Sequence, residues 1–539
     1  MRQKFFLILL LTILILPAIH SLLSPGFFSS HDGDWMVIRL SDFHRSVVSG
    51  QIPVRWGDRL NHGYGYPVFN FSYPFSLYFG EVFRLLGFGF VDSVKIVFAL
   101  GFILSGVFMY LWLREKWGNL GALVSAVLYV YTPYRFLDVY VRGSLGEATA
   151  FIFPPLIFWS AEKLADKWQK SYFILGSLAF AGLITSHNIM AMLFALVFLS
   201  YLIFRWLIFR DRKVFLCQLT ILILGLLLSC FFWLPALYDK QYVLFDKVVV
   251  ADFFAHFPTL PQLLLPSWGY GPSLPFSDQD TLSFQVGVIN LIVFLLVILR
   301  LRLINLRKNF LTYFLVLAFA GAFLLMLGPL GWFWKILPLG NLIQFPWRLL
   351  MLTTFSSAVL AGGLVQSIKP SRKAFLAVGL IALSIFLTYK YARPEYFVDK
   401  GELFYSTNES TTTIANEYMP IWVKLPPVNR AAQAVEIVSG EGSVSAVLAT
   451  SKKISFTVSS ENESLVQINK IYFPGWQVKL DDKTSPIAYD NPQGLIRLPV
   501  SVGKHTIVAE FGETPVRLAA DIVSLLGLGI IFVLVLKRK

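Results

Sequence analysis

Charge is scarce in this chain. Only 14% of its 539 residues are Asp, Glu, Lys or Arg, against 56% hydrophobic, and the mean hydropathy is +0.64. A soluble core needs no such excess of apolar surface, so an ordinary soluble globular protein is excluded. Cysteine is scarcer still. The two, Cys217 and Cys230, fall on one expected helix, too far apart along it to bond, which excludes a disulfide framework. The seven histidines are scattered, with no HxxxH or HExxH spacing, so a zinc site is not expected. P-loop, GxSxG and CxxC patterns are absent, as are solenoid repeats and low-complexity linkers.

What the chain has is apolar runs near the length that crosses a bilayer. Twelve spans are expected, at 5–23, 92–112, 118–135, 148–165, 171–186, 188–206, 214–236, 283–300, 310–328, 348–367, 373–390 and 515–536. The first could be a cleaved signal peptide, but a retained helix is the preferred reading, because many spans follow and the next loop carries functional residue types. A net charge of +14 invites a nucleic-acid partner. The basic residues cluster instead in short segments between spans: Arg2 and Lys4; Arg114 and Lys116; Lys163, Lys167 and Lys170; Arg205, Arg210, Arg212 and Lys213; Arg300, Arg302, Arg307 and Lys308; Lys369, Arg372 and Lys373; Lys537, Arg538 and Lys539. All fall on one side of a twelve-span topology. That side is then cytoplasmic, with both termini inside a multi-pass plasma-membrane protein and no nucleic-acid partner.

The other side holds a long first loop (24–91), the loop RFLDVYVRGSLGEATA (135–150), the turn SHN (186–188), two further segments (237–282 and 328–348) and a large C-terminal region. Within the first loop, the apolar stretch 66–88 suits an interfacial or re-entrant helix, since a span there would invert every later basic loop. In the C-terminal region Ile454, Phe456 and Val458 alternate, as do Ile507, Ala509 and Phe511, with turns at PGW, DDK, NPQG and VGK. Period-two runs of this kind predict a small antiparallel β-sandwich. The expected domains are a multi-span membrane domain (1–390), an extracytoplasmic β-rich domain (391–513), and a final helix with a basic cytoplasmic tail (514–539).

Ionisable residues are nearly absent from the interiors of the spans, which disfavours a proton- or sodium-coupled transporter. They gather at the outer helix ends: Asp32, Asp34, Arg39, Asp42, His44, Arg55, Asp58, Arg142, Glu147, His187, Asn188 and Arg348. In HDGDW, with His31 leading, an aspartate can act as general base or hold a cation; equally, Asp34 can cap the helix that follows. In VRWGDRLNHGYGYPVFN, rings such as Tyr64 and Tyr66 can be sugar platforms or interfacial anchors. Arg142 can grip a phosphate or snorkel to the headgroups. Glu147 can serve the site or simply favour a helix start. His187 and Asn188 occupy a tight turn that needs polar residues anyway. Arg348 runs against the positive-inside trend and asks for a partner.

Taken together, HDGDW, GQIPVRWGDRLNHGYGYPVFNF, YTPYRFLDVYVRGSLGEA, TSHN, IYFPGWQVKLDD and GLIRLPVSVGKHTI resemble the bacterial YfhO-type and "6-pyruvoyl-tetrahydropterin synthase-related" membrane proteins. The architecture resembles the GT-C superfamily of membrane glycosyltransferases. The pterin-synthase label is not literal, since that activity resembles a soluble three-histidine zinc fold. The GT-C resemblance implies a first-loop acid as catalytic base, here Asp34 or Asp32, with Asp34 preferred as the one nearest the expected helix. It implies a polyprenyl-phosphate sugar donor and a glycan, lipid or protein acceptor at the outer face. Arg142, Arg348 and His187 would then neutralise the leaving lipid phosphate. No cofactor is required by the resemblance, and two nearby acids leave magnesium or manganese open. A flippase or an assembly protein for envelope polysaccharide is the alternative. A binding module, with the β domain capturing glycan and the helices serving as anchor, is a third reading.

Overall fold

The computed structural model describes residues 2–248, 252–277, 281–301, 305–337 and 339–537. Of the expected basic residues, Arg302, Arg538 and Lys539 lie outside these, as do the side chains of Arg2 and Lys4. The expected loops 237–282 and 328–348 are described except at 249–251, 278–280 and 338.

Among the described residues, six helices are long and apolar enough to cross a membrane, or up to eight if each of two bent pairs is one span. That count takes Phe90–Val130 once and leaves out the shorter apolar helices Lys170–Ser186 and Val288–Leu301; other expected runs fold into short or broken helices. The run 148–165 is split between helices Leu145–Ala150 and Phe153–Asp166. The run 214–236 breaks at Ser229 with a bend of 65°. That break also puts Cys217 and Cys230 on separate helices, with both thiols free. The stretch Phe90–Val130 is two helices folded back on each other at Gly118, whose φ of 67° is cheap only for glycine. Near the turn, the Tyr110 hydroxyl donates to Asn119 Oδ1 at 3.0 Å. This hairpin packs against helix Leu350–Gln366, which is buried along nearly its whole length; Phe355 lies against Trp112 and Tyr129. The basic segments meet at one end of the bundle, where Lys116 pairs with Glu162 (2.7 Å), Lys163 with Glu115 (2.5 Å), and Lys170 donates to the Lys537 carbonyl (2.7 Å).

The first loop carries helix Gly33–Val48 and then two short helices, Val68–Phe71 and Phe75–Leu85, where the interfacial stretch was expected. Strand β1 (Phe27–Phe28) pairs with β2 (Phe397–Val398) and ties this loop to the chain leaving the bundle.

The C-terminal sheets begin later than expected. Strands β3 (Val435–Ser439), β4 (Gly442–Ala449), β5 (Lys453–Ser460), β6 (Ser464–Ile471), β7 (Trp476–Leu480), β8 (Lys483–Ser485), β9 (Leu495–Val500) and β10 (Gly503–Phe511) form two antiparallel sheets, ordered β4-β5-β10-β7-β8 and β3-β6-β9. The alternation expected from sequence is present. Ile454, Phe456 and Val458 face inward on β5, and Ile507 and Ala509 of β10 lie opposite Phe456 and Ile454. Both sheets contribute to one apolar cluster. Before the strands, residues 399–434 cross the first loop.

The sheets and the membrane part share their core. Trp56 of the first loop is fully buried, with its ring 5.2 Å from Phe511, 5.8 Å from Trp476 and 6.4 Å from Phe473. A buried tryptophan removes on the order of 200 Å² from water, worth about 5 kcal/mol at 25 cal/mol per Å². VRWGDRL therefore supplies neither a sugar platform nor a bilayer anchor at Trp56; it supplies a plug that seats the sheets.

Candidate functional site

The site is built from two motifs that the fold locks together. After Val130 the chain turns, and Leu137–Val141 forms one wide π-helical turn, with the Arg142 N–H donating to the Leu137 carbonyl at 2.9 Å. Such turns recur at functional sites because they rotate side chains out of ordinary helical phase. This one places Asp138 and Arg142 on a common face. Gly143, at φ 66°, then reverses the chain. Here glycine is required, since a Cβ would sit 2.6 Å from the Gly33 nitrogen. The close approach lets His31 N–H donate to the Val141 carbonyl (3.0 Å) and Asp32 N–H to the Arg142 carbonyl (2.9 Å). HDGDW and VRGSLGE are thus joined backbone to backbone.

Arg142 is buried and holds two carboxylates with one nitrogen: Nη1 lies 2.9 Å from Asp138 Oδ1 and 2.7 Å from Glu147 Oε2. Both carboxylates are fully buried. Tyr134 donates to the other Glu147 oxygen. His187 caps helix Asn188–Phe209: its Nδ1 accepts from Met190 N–H at 3.1 Å, which puts any ring proton of the neutral form on Nε2, 3.8 Å from Glu147. Tyr73 packs 5.0 Å from the His187 ring.

Burial sets the charges. It acts first to raise Glu147, but Arg142, His187 and Arg348 outweigh it and hold the carboxyl down at about 2. Burial, reinforced by the Glu147 charge, pushes Asp138 well above the usual range against the pull of Arg142, so of the two carboxyls it is the weaker acid. Burial lowers His187 to about 3, aided by Arg348 and Arg142, so the ring is neutral. Glu147, held low, is the stronger partner of Arg142.

Arg348 is the surplus cation. It is buried, its Nη1 donates only to the Ile343 carbonyl at 3.2 Å, and its Nε has no partner. Among the described residues no carboxylate lies within ion-pair distance of it. The Tyr73 phenol, raised first by burial, has Arg39, Arg348, Asp32 and Glu147 as its charged neighbours. Arg348 thus sits in the cluster without an ion-pair partner of its own among the described residues. An uncompensated buried guanidinium is costly, and it suits an anionic ligand.

Asp32 and Asp34 diverge. Asp32, not Asp34, occupies the position before helix Gly33–Val48, and it makes no side-chain capping bond. It is half-buried on the Tyr73 side. Asp34 lies inside the first turn, where Lys400 pairs with it and the Tyr405 hydroxyl donates to it at 3.0 Å. Asp34 is therefore not the helix cap, and its carboxylate is engaged by the segment leaving the bundle.

Other expected site residues do structural work away from the cluster. Arg55 clamps the first loop to the final helix through Glu513 (3.3 Å), Asp521 (2.8 Å) and the Phe231 carbonyl (2.7 Å). The Tyr66 hydroxyl accepts from Tyr418 N–H at 3.0 Å and meets Thr413. The Tyr64 carbonyl accepts from Ile471 N–H at 2.9 Å and so ties the loop to β6. His31 is exposed and donates to the Tyr270 carbonyl (3.0 Å). Asn188 is exposed, with its side-chain oxygen on its neighbour Ile189 N–H. In the wider constellation, Arg39 holds Thr412 and Ser72, His44 pairs with Glu81 (2.9 Å), and Asp58 pairs with Lys470 (2.5 Å). Arg142, Glu147, His187 and Arg348 do converge.

Tyr73, Tyr134 and Asp138 belong to this cluster, yet the sequence alone did not single them out. Asp138 had a signal: an acid four residues before Arg142 in an otherwise apolar stretch. The tyrosines had none. Among the described residues, no group of three or more His, Cys, Asp or Glu side chains is placed to hold a metal ion.

Residues 69–393, more than half of the chain, match the 6-pyruvoyl-tetrahydropterin synthase related domain, a membrane protein family. The chain belongs to that family. It is a multi-pass membrane protein, and the matched region contains every member of the buried cluster. A relative from Lactococcus lactis subsp. cremoris, described as an uncharacterized protein, is 22% identical over 211 residues, which are 38% of this chain and 34% of the relative. This chain thus spans about a third of that relative's length. Among solved structures, the mycobacterial arabinofuranosyltransferase AftD aligns at 15% identity over 73% of this chain and 27% of its own, with a TM-score of 0.47. The Archaeoglobus fulgidus oligosaccharyltransferase aligns at 14% identity over 78% and 60%, also at 0.47. ArnT from Cupriavidus metallidurans, bound to undecaprenyl phosphate, aligns at 12% identity over 70% and 63%, at 0.39.

Proposed function

We propose that this family member is a membrane glycosyltransferase working at the outer face, which takes a sugar from a polyprenyl-phosphate donor. The observation that carries the reading is the uncompensated Arg348 guanidinium in a buried polar cluster that Asp32 borders. A lipid-linked phosphate brings the missing negative charge while its tail stays in lipid, so Arg348 holds the phosphate. Arg142, already paired with Glu147 and Asp138 through Nη1, positions rather than binds. Asp32 takes the role of base, in place of Asp34, because the Asp34 carboxylate is engaged by Lys400 and Tyr405.

In the reaction the Asp32 carboxylate accepts the proton of an acceptor hydroxyl or amide. The freed lone pair attacks the anomeric carbon. The carbon–oxygen bond to phosphate breaks, and its electron pair leaves on the phosphate, where Arg348 stabilises the growing charge. The acceptor is a glycan, lipid or protein of the envelope. The basic end of the bundle faces the cytoplasm, and the cluster and the sheets lie outside.

The test compares cells carrying the wild type, Asp32→Asn, Asp34→Asn and Arg348→Gln at matched protein levels. Lipid-linked sugars and surface glycan are measured by mass spectrometry. Asp32→Asn and Arg348→Gln should each accumulate a polyprenyl-phosphate sugar and lose a glycan modification, while Asp34→Asn retains it. Unchanged pools in Asp32→Asn would remove the base from this mechanism, and unchanged pools in both Asp32→Asn and Arg348→Gln would end the transferase reading.

A further inference from the structure

Away from the buried cluster, two adjoining cavities of about 250 and 190 Å³ open at the seam between the first loop and the sheets. They share Arg45, Asp58, Gly63, Arg430 and Lys470 in their walls. The acids here are already committed. Asp58 is held by Lys470 at 2.5 Å, and Lys470 is itself saturated by the Asp58 and Gly63 carbonyls. Glu409 is held by Arg430 at 2.7 Å.

The arginines are not used up. Arg45 is 52% exposed, and its carboxylate contacts are long, 3.5 Å to Asp58 and 4.0 Å to Asp42. Arg430 is 73% exposed and uses one nitrogen. Behind them Arg59 is buried with its Nε unpartnered. Four cations line the two cavities against Asp58 and Glu409, with Asp42 behind Arg59 as a third carboxyl. Tyr64, His62 and Gln433 complete the walls. Planar rings beside amide and guanidinium donors recognise hydroxyl-rich rings that bear an anion.

We infer that this seam is a binding groove for an acidic saccharide, with Arg45 and Arg430 gripping a carboxylate or phosphate on the sugar and Tyr64 and His62 lining its ring. The inference is independent of whether the buried cluster is catalytic. If it is, the groove is where an anionic acceptor chain docks.

The experiment is calorimetric titration of the detergent-solubilised full-length protein with a galacturonate hexamer, a neutral maltohexaose and inorganic phosphate. The galacturonate should bind at least ten times more tightly than the neutral hexamer, and its binding should weaken as salt is raised. Arg430→Ala, a surface change that spares the fold, should weaken it several-fold, and Arg45→Ala with Arg430→Ala at least ten-fold. Asp32→Asn should leave it unchanged, which separates this groove from the transferase chemistry. Equal binding of the acidic and neutral hexamers would overturn the inference. So would full-strength binding to the double variant at an unchanged unfolding temperature. Phosphate binding as tightly as the hexamer would leave a simple anion site and overturn the saccharide assignment.

Discussion

Arg142 faces two buried carboxylates, and burial with the Glu147 charge makes Asp138 the weaker acid of the two. This makes an unusual prediction about which substitutions hurt. Arg142→Ala strands the ionised Glu147 in the interior, a loss of about 3–5 kcal/mol for a broken buried pair. Glu147→Gln removes the charge that, after burial, does most to raise Asp138. Asp138 should then ionise more readily and take over Arg142 from 2.9 Å. The cost should fall to about 1–2 kcal/mol, that of weakened hydrogen bonds to Glu147's neighbours. Asp138→Asn alone leaves Glu147 on Arg142 and should cost about 1 kcal/mol or less. Joining it to Glu147→Gln leaves Arg142 with no acid, and the cost should return to about 3–5 kcal/mol, a coupling of about 2 kcal/mol between the two acids. Denaturant unfolding in detergent at pH 7, followed by tryptophan fluorescence, reads all four. If Glu147→Gln is as damaging as Arg142→Ala, Asp138 does not act as the reserve and the charge assignment is wrong. Additive effects of the two acid substitutions would refute it as well.

Three further outcomes follow from the geometry. Asp42 is fully buried, and burial raises its carboxyl from 3.8 to about 6 against the pull of Arg59. The folded state therefore holds a proton that the unfolded state releases between those values, and stability falls as pH rises through that window, by about 3 kcal/mol in all. Asp42→Asn should flatten this part of a stability–pH curve measured from pH 3.5 to 7.5, and an unchanged slope would show the group is already ionised. Trp56→Ala should cost about 3–5 kcal/mol and loosen the sheets from the helices, seen as new protease cleavage near residues 399–434; wild-type resistance would mean the ring is not the plug. Gly143→Ala forces a Cβ against the Gly33 nitrogen at a positive φ, so it should part HDGDW from Arg142. The expected readout is accumulated lipid-linked sugar at near-normal protein levels, and wild-type pools would mean the backbone junction does not position the site.

Hydropathy was enough to show a helical membrane protein, the side on which basic residues gather and a C-terminal sheet region, because burial in lipid and alternation on a strand are one-dimensional patterns. It could not give the number of crossings. The break at Ser229 depends on how a helix is packed, not on its mean apolarity, whereas the turn at Gly118 falls where the expected spans 92–112 and 118–135 part. The convergence of Arg142, Glu147, His187 and Arg348 was legible because polar residues at outer helix ends are few. The partners of Arg55, Tyr64 and Tyr66 were not, since a snorkelling, ligand-gripping or clamping side chain has the same sequence. Only tertiary structure gives Asp32 and Asp34 different surroundings. Two residues apart in a turn, they are equivalent as letters. The close approach of Gly143 to Gly33 leaves one on the Tyr73 side, and Lys400, hundreds of residues away, claims the other.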